Sequence, residues 1–316
     1  MIRALPEDVT YTIAGIYAVL VIASATVRAL RWRRPEKDYT ELGLRVRTWW
    51  VLVGLFTVAL LLSRGATIVF FAFVSFLALK EFFSMIPTRR ADRRVLFWAY
   101  LAIPVQYYWV HHEWYGMFII FIPVYIFLLL PMRMVVIGQT KGFLHAVGTI
   151  HWGLMTTVFS ISHAAYLLVL RPPAVPDSSP TAPGPGLLLA LLLLTELNDI
   201  AQYCWGKTLG RRRITPTVSP NKTWGGFIGG LVTTTVVAGV LGPWLTPMSR
   251  EHSLLGGAII AAVGFIGDVT VSAIKRDIGI KDTGSTLPGH GGILDRVDSL
   301  TYTAPVFFHY VHYLYF

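Results

Sequence analysis

Along its length the chain alternates between long apolar runs and short polar ones. Runs of helical length fall near residues 11–30, 49–63, 65–86, 96–111, 115–132, 149–170, 186–206, 225–243, 253–274 and 299–316. Each approaches the roughly 20 residues that carry an α-helix across a hydrocarbon layer. The pattern predicts an all-α, polytopic integral membrane protein of about ten spans. Nine is the alternative count, because only Ser63-Arg64-Gly65 separates the second run from the third. Those two runs form a tight hairpin unless one of them is re-entrant. The stretch from Arg171 to Gly186 holds Pro172, Pro173, Pro176, Pro180, Pro183 and Pro185, and reads as a non-helical external loop. It divides a scaffold half, residues 1–170, from residues 186–316, where every polar motif is expected, with 171–185 between them.

Composition sharpens this picture. Of 316 residues 54% are hydrophobic and 14% charged, which excludes an ordinary soluble domain. The first ten residues carry Arg3 but also Glu7 and Asp8, so the first span is expected to be retained rather than cleaved as a signal. A single cysteine, Cys204, rules out an internal disulfide and a multi-cysteine metal site, and is read as a small apolar filler. The net charge of +10 does not point to nucleic acid, because of where it lies. With the N-terminus outside, the cytoplasmic segments hold 7 Lys and Arg in 28–48, 5 in Lys80 with 87–95, 2 in 133–142, 5 in 207–222 and 4 in 275–296. Only Arg3, Arg64, Arg171 and Arg250 remain outside. That is the positive-inside asymmetry, with anionic lipid headgroups as a secondary attraction. An inner or plasma membrane location is the expectation, and Trp32, Trp49, Trp50 and Trp114 fall near span ends where aromatic belts form.

Within the spans, Gly225-Gly226, Gly229-Gly230, Gly256-Gly257, Gly264 and Gly267 let helix backbones approach closely and are read as helix packing or a homodimer contact. Asp199 and Asp268 are more telling, since a carboxylate inside an apolar span calls for a partner or a wet cavity. Glu196 lies one turn before Asp199, and Asp268, Ser272 and Lys275 form a stripe at i, i+4 and i+7. His309 and His312 read as interfacial packing, their spacing lacking the acidic neighbours a zinc site wants.

The densest chemistry runs from Ser272 to Asp298: Ser272-Ala-Ile-Lys275-Arg276, then Lys281-Asp282, then Pro288-Gly-His290-Gly291-Gly292-Ile-Leu-Asp295-Arg296-Val-Asp298. Asp295 and Asp298, three apart, share a face if a helix begins after the glycines, and with Asp268 they make a carboxylate cluster suited to Mg²⁺. Gly291 and Gly292 allow backbone N–H groups near an anion, and Lys275, Arg276, Lys281 and Arg296 supply countercharge for phosphates. His290 is placed to orient or protonate a phosphate. Together these predict metal-dependent phosphoryl or nucleotidyl transfer beside a bilayer.

This run resembles the signature of the phosphatidate cytidylyltransferases: Ser-x-apolar-Lys-Arg, four residues, Lys-Asp, then Pro-x-His-Gly-Gly closing on Asp-Arg-apolar-Asp. The resemblance extends to Asn198-Asp199 with Tyr203 and Gly206, and to Ser219-Pro220-Asn221-Lys222-Thr223-Trp224. It implies that Asp199, Asp268, Asp295 and Asp298 hold two Mg²⁺ or a mixed pair of cations, and that Ser219, Lys222 and Thr223 bind phosphate. It implies the reaction of CTP with phosphatidate, giving CDP-diacylglycerol and pyrophosphate at the cytoplasmic face. Two departures stand out. Val271 precedes Ser272 where many members are acidic, and Trp224-Gly225-Gly226 replaces Trp-Glu-Gly, with Asn221 for the first lysine of that loop. A CTP-dependent enzyme for another lipid phosphate, a non-catalytic relative and a lipid or ion transporter are the alternatives. Against the last, the acids gather at one face rather than at paired broken helices.

Overall fold

The computed structural model describes residues 5–87, 93–171, 183–289 and 291–316. Among them the helices are α1 (Glu7–Arg33), α2 (Thr40–Leu62), α3 (Arg64–Met85), α4 (Arg93–His111), α5 (Tyr115–Ile120), α6 (Phe127–Ile137), α7 (Phe143–Leu154), α8 (Ser160–Leu167), α9 (Gly184–Leu209), α10 (Trp224–Leu245), α11 (Arg250–Asp277), α12 (Leu294–Val297) and α13 (Leu300–Tyr315). Wide π turns at Phe121–Ile126 and Met155–Phe159 join α5 to α6 and α7 to α8. Pro123, in the first, removes one donor from the ladder. The only strands among the described residues are β1 (Arg213–Thr215) and β2 (Ser219–Thr223), an antiparallel hairpin pairing Arg213 with Thr223 and Thr215 with Ser219.

The chain is thus an all-α polytopic membrane protein. Among the described residues seven helices are long and apolar enough to cross a membrane by length and composition: α1, α2, α3, the α5–α6 run, α9, α10 and α11. The other three of the ten expected spans, α4, the α7–α8 run and α13, are helical but do not belong to that set. Cross-contacts fix the direction of each. Glu113, after α4, pairs with Arg64, the first residue of α3, at 2.6 Å and with Arg171, after α8, at 2.7 Å. Glu81, late in α3, instead meets the loop ahead of α12, as does Thr48, early in α2, whose hydroxyl donates to the Pro288 carbonyl at 2.8 Å. The Glu113 cluster and the α12 loop therefore mark opposite ends of the bundle. The second and third spans are separate helices around a one-residue corner: Ser63 is extended, and its hydroxyl caps α3 by accepting from the Ala66 N–H at 3.0 Å.

Two expectations need correction. Helix α9 begins at Gly184, inside the proline-rich stretch, because Pro185 occupies the first turn, where no ladder N–H is needed. Pro172, Pro173, Pro176 and Pro180 lie outside the described residues. The Ser219–Thr223 segment, expected as a phosphate-binding loop, is strand β2, and Thr223 caps α10 by accepting from the Gly226 N–H at 3.2 Å.

The glycines do pack helices. A Cβ on Gly226 would stand 2.7 Å from the Gln202 carbonyl oxygen, and one on Gly267 the same distance from that of Asp298, so α10 meets α9, and α11 meets the turn that leads into α13, backbone to backbone. Asn198 stitches three of them, donating to the Ala261 carbonyl at 3.2 Å and accepting from Thr234 at 3.4 Å. At the other end, a Cβ on Gly184 would lie 2.5 Å from the Leu168 carbonyl oxygen, so α9 starts where α8 stops.

Candidate active site

The tight α9–α10–α11 packing brings one end of each helix to a single place. Lys222, on β2, is tucked under the hairpin with its side chain 19% exposed, and its ammonium forms an ion pair with Asp268 of α11. The same ammonium donates to Oε1 of Gln202, on α9, at 3.1 Å. Burial opposes its charge, but Asp268 and Asp199, and behind them Asp298, outweigh that cost and hold Lys222 above the usual lysine range. Ser299 ties the other two carboxylates together. Its hydroxyl donates to Asp199 at 2.9 Å, and its N–H donates to Asp298 at 2.7 Å. Asp298 is buried, and burial with the nearby Asp268 and Asp199 pushes its carboxyl well above the ordinary range.

The polar stripe on α11 forms as the spacing requires. The Ser272 hydroxyl donates to Asp268 at 3.3 Å, and Lys275, one turn on, donates to Asp295 at 2.8 Å. Asp295 is held by its own loop as well, and Lys275, which it binds, also acts on Asp298. Besides Lys275 it accepts from the Thr283 N–H at 2.8 Å, the Thr283 hydroxyl at 2.9 Å and the Gly292 N–H at 3.0 Å. Burial would raise its pKa, but these donors and the Lys275 charge hold it below the usual carboxylate range. Asp295 shapes the loop, while Asp199, Asp268 and Asp298 surround the ammonium.

The remaining residues divide similarly. Arg276 ties the end of α11 to the hairpin, donating to the Val218 carbonyl at 3.2 Å and to that of Ile280 at 3.0 Å. Lys281, Asp282 and Arg296 are exposed, and the Arg296 charge reaches Asp199 and Glu196. Ser219 begins β2, and Gly291, at φ 82°, makes the turn that presents the Gly292 N–H to Asp295. His290 lies outside the described residues. Gly225 explains one departure from the signature: a Cβ there would be 2.7 Å from the Leu209 carbonyl oxygen, so the packed α9 and α10 backbones leave no room for a glutamate. Val271 is simply buried.

Glu81 is the residue the sequence reading missed. It sits two turns or less from the end of α3 in the supposedly plain half, buried, and accepts from the Thr286 hydroxyl at 2.6 Å, the Leu294 N–H at 2.9 Å and the Thr283 hydroxyl at 3.3 Å. Its signal was present, a lone carboxylate at the end of an apolar run, the same signal that drew attention to Asp199. Ser299 and Gln202 were also passed over, being neutral.

For a divalent cation the donor set is suitable. Three carboxylates crowd one ammonium, leaving surplus negative charge beside hard oxygen donors, the chemistry Mg²⁺ prefers. Among the described residues no three His, Cys, Asp or Glu already close around one point, so water or substrate phosphate would complete such a shell.

A sequence model described as the cytidylyltransferase family matches residues 43–314. The chain belongs to that family. Across nearly its whole length this cytidylyltransferase-family chain is similar to "Uncharacterized protein YnbB" of Escherichia coli K12, with 46% identity over 302 residues, 96% of this chain and 98% of that one. It is also 44% identical over 124 residues to a phosphatidate cytidylyltransferase of Pseudomonas aeruginosa, covering 39% of this chain and 46% of the relative. One from Synechocystis matches at 42% over 142 residues, 44% of this chain and 46% of the relative. The chain thus spans less than half the length of these two enzymes.

Proposed function

We propose that this protein transfers the cytidylyl group of CTP to the phosphate of phosphatidate or a similar lipid, releasing pyrophosphate at the cytoplasmic face of the membrane. The observation that carries this reading is the meeting of Asp199, Asp268 and Asp298 around Lys222, at the bundle end that also holds Lys275, Arg276 and the glycine loop. The similarity to phosphatidate cytidylyltransferases supports the choice of reaction.

In this reading the lipid phosphate oxygen attacks the α-phosphorus of CTP, and the bond to the β-phosphate oxygen breaks. A phosphate monoester is already anionic at neutral pH, so the protein needs no strong base. Its work is positioning and charge neutralisation. Lys222, buried and held cationic by its carboxylates, neutralises phosphate charge; exposed Lys281 and Arg296 draw the nucleotide in. Asp199, Asp268 and Asp298 are the residues that would hold Mg²⁺, which when bound offsets the charge of the triphosphate. Asp295, Thr283 and Glu81 keep the glycine loop in shape. Apolar helix faces beside the site would accept the acyl chains from the inner leaflet.

Incubation of the purified protein with labelled CTP, Mg²⁺ and a panel of lipid phosphates tests this directly. A CDP-lipid from phosphatidate is the expected product. A product only from another lipid phosphate would redirect the substrate, and no nucleotide–lipid product from any would overturn the reading.

A further inference from the structure

At the bundle end away from the aspartates, the fold assembles a second group of polar side chains that the proposed reaction does not use. His163, on α8, is fully buried. Its Nδ1 lies 2.7 Å from the Phe159 carbonyl oxygen, and since a carbonyl only accepts, Nδ1 carries the proton. That assigns Nε2 a bare lone pair, and Nε2 is buried with no hydrogen-bond partner. A buried polar atom without a partner needs an explanation. The rings around His163 are Phe118, Phe159 and Phe308, which offer it nothing, and His309 of α13, whose ring centre is 5.3 Å away. His309 in turn lines an open cavity of about 460 Å³ with Tyr115, Tyr310, His312, Tyr313 and Leu314.

This is the arrangement of a metal-binding imidazole pair. A ligand histidine almost always donates its other N–H to a carbonyl or carboxylate, which fixes the tautomer, as the Phe159 carbonyl does here. Two imidazoles on one tetrahedral ion, with nitrogen–metal bonds of about 2 Å, have ring centres about 5 Å apart. The spacing in sequence pairs His309 with His312, whereas the fold pairs it with a histidine on another helix. We propose that His163 and His309 bind a transition-metal ion of the zinc or cobalt class, with water from the cavity completing its shell. Imidazole nitrogen selects such ions over Mg²⁺, so this site and the carboxylate site do not compete for the same metal. His312, one turn beyond His309, stacks on Tyr115 at 4.6 Å and borders the route by which the ion enters.

Tag-free protein in detergent, stripped with chelator and desalted, would be titrated with Co²⁺ by absorption and with Zn²⁺ against a chromophoric chelator. One equivalent of each is expected to bind, with the visible Co²⁺ band of nitrogen ligation. His163→Gln and His309→Gln should each weaken binding about tenfold or more, while His145→Gln, an exposed histidine elsewhere, should not. His309 is less buried than His163, so its variant separates ligation from folding, with thermal melting of the stripped proteins as the control. Equal binding by the wild type and the His309→Gln variant, or no stoichiometric binding by the wild type, overturns the proposal. The test reads metal binding alone and stands or falls separately from the CTP reaction.

Discussion

Replacing Lys222 by alanine leaves Asp199, Asp268 and Asp298 crowded together without the ammonium that binds Asp268 and lies in the field of the other two. The variant should melt at a lower temperature than the wild type, and added Mg²⁺ should recover much of the loss if the carboxylates hold that ion. A melting temperature that stays equal to the wild type's, with and without Mg²⁺, would sink this account. Removing one acid has the opposite balance. Asp268→Asn leaves Lys222 with two carboxylates still nearby, so stability should change little while CTP turnover falls about a hundredfold or more and responds weakly to Mg²⁺. Turnover and melting measured across one Mg²⁺ titration separate these outcomes; an unstable but active Asp268→Asn would refute the metal role. The acids of this site were legible in the sequence because a charge in an apolar run is conspicuous. Gln202 and Ser299 were not, since a neutral side chain declares itself only when the fold shows what it touches.

At the scale of elements, the loop between α11 and α12 is held from two directions. Lys275 and Asp295 close it from within, and Glu81 reaches it from α3. Glu81→Ala should leave the Leu294 N–H and the Thr286 hydroxyl without their acceptor, at about 1–3 kcal/mol for each donor that water does not reach. Lower melting and faster proteolysis between residues 279 and 293 are the expected readouts, and unchanged proteolysis would remove Glu81 from this role. Asp295 adds a pH dependence. Its carboxyl titrates below its ordinary value of 3.8 in the folded protein, so it stabilises the fold above that pH, and the contribution is lost as pH falls through the lowered value. The acid limb of the melting profile should therefore be shallower in Asp295→Asn. The sequence placed α11 and its stripe correctly because helical period is a local property. It could not show which donors close on Asp295, because that depends on the path of the loop and on Thr283, twelve residues earlier.

For the whole molecule, the apolar runs anticipated the order of the helices, seven of them long and apolar enough to cross a membrane, and one set of contacts agrees with the count of basic residues. Arg64 and Arg171, assigned to the outside by charge counting, share Glu113 at the end opposite the site. What charge counting could not reveal was the dependence of the motif-bearing loop on α2 and α3, since residues about 200 positions apart leave no periodic trace. The topology makes a direct prediction. On a Cys204→Ser background, a Thr217→Cys site in the hairpin turn should resist a membrane-impermeant thiol reagent in intact cells and react after permeabilisation. Labelling in sealed cells would turn the molecule over and place the aspartates away from CTP.

The contact of Gly184 with Leu168 has a practical meaning for anyone handling this protein. Because the chain departs and returns at nearly the same point, material spliced between Arg171 and Pro183 has no distance to bridge, and doubling the length of such a loop costs only about 0.6 kcal/mol. That junction is the natural port for a fluorescent reporter or an affinity handle, carried at the bundle end opposite the aspartates.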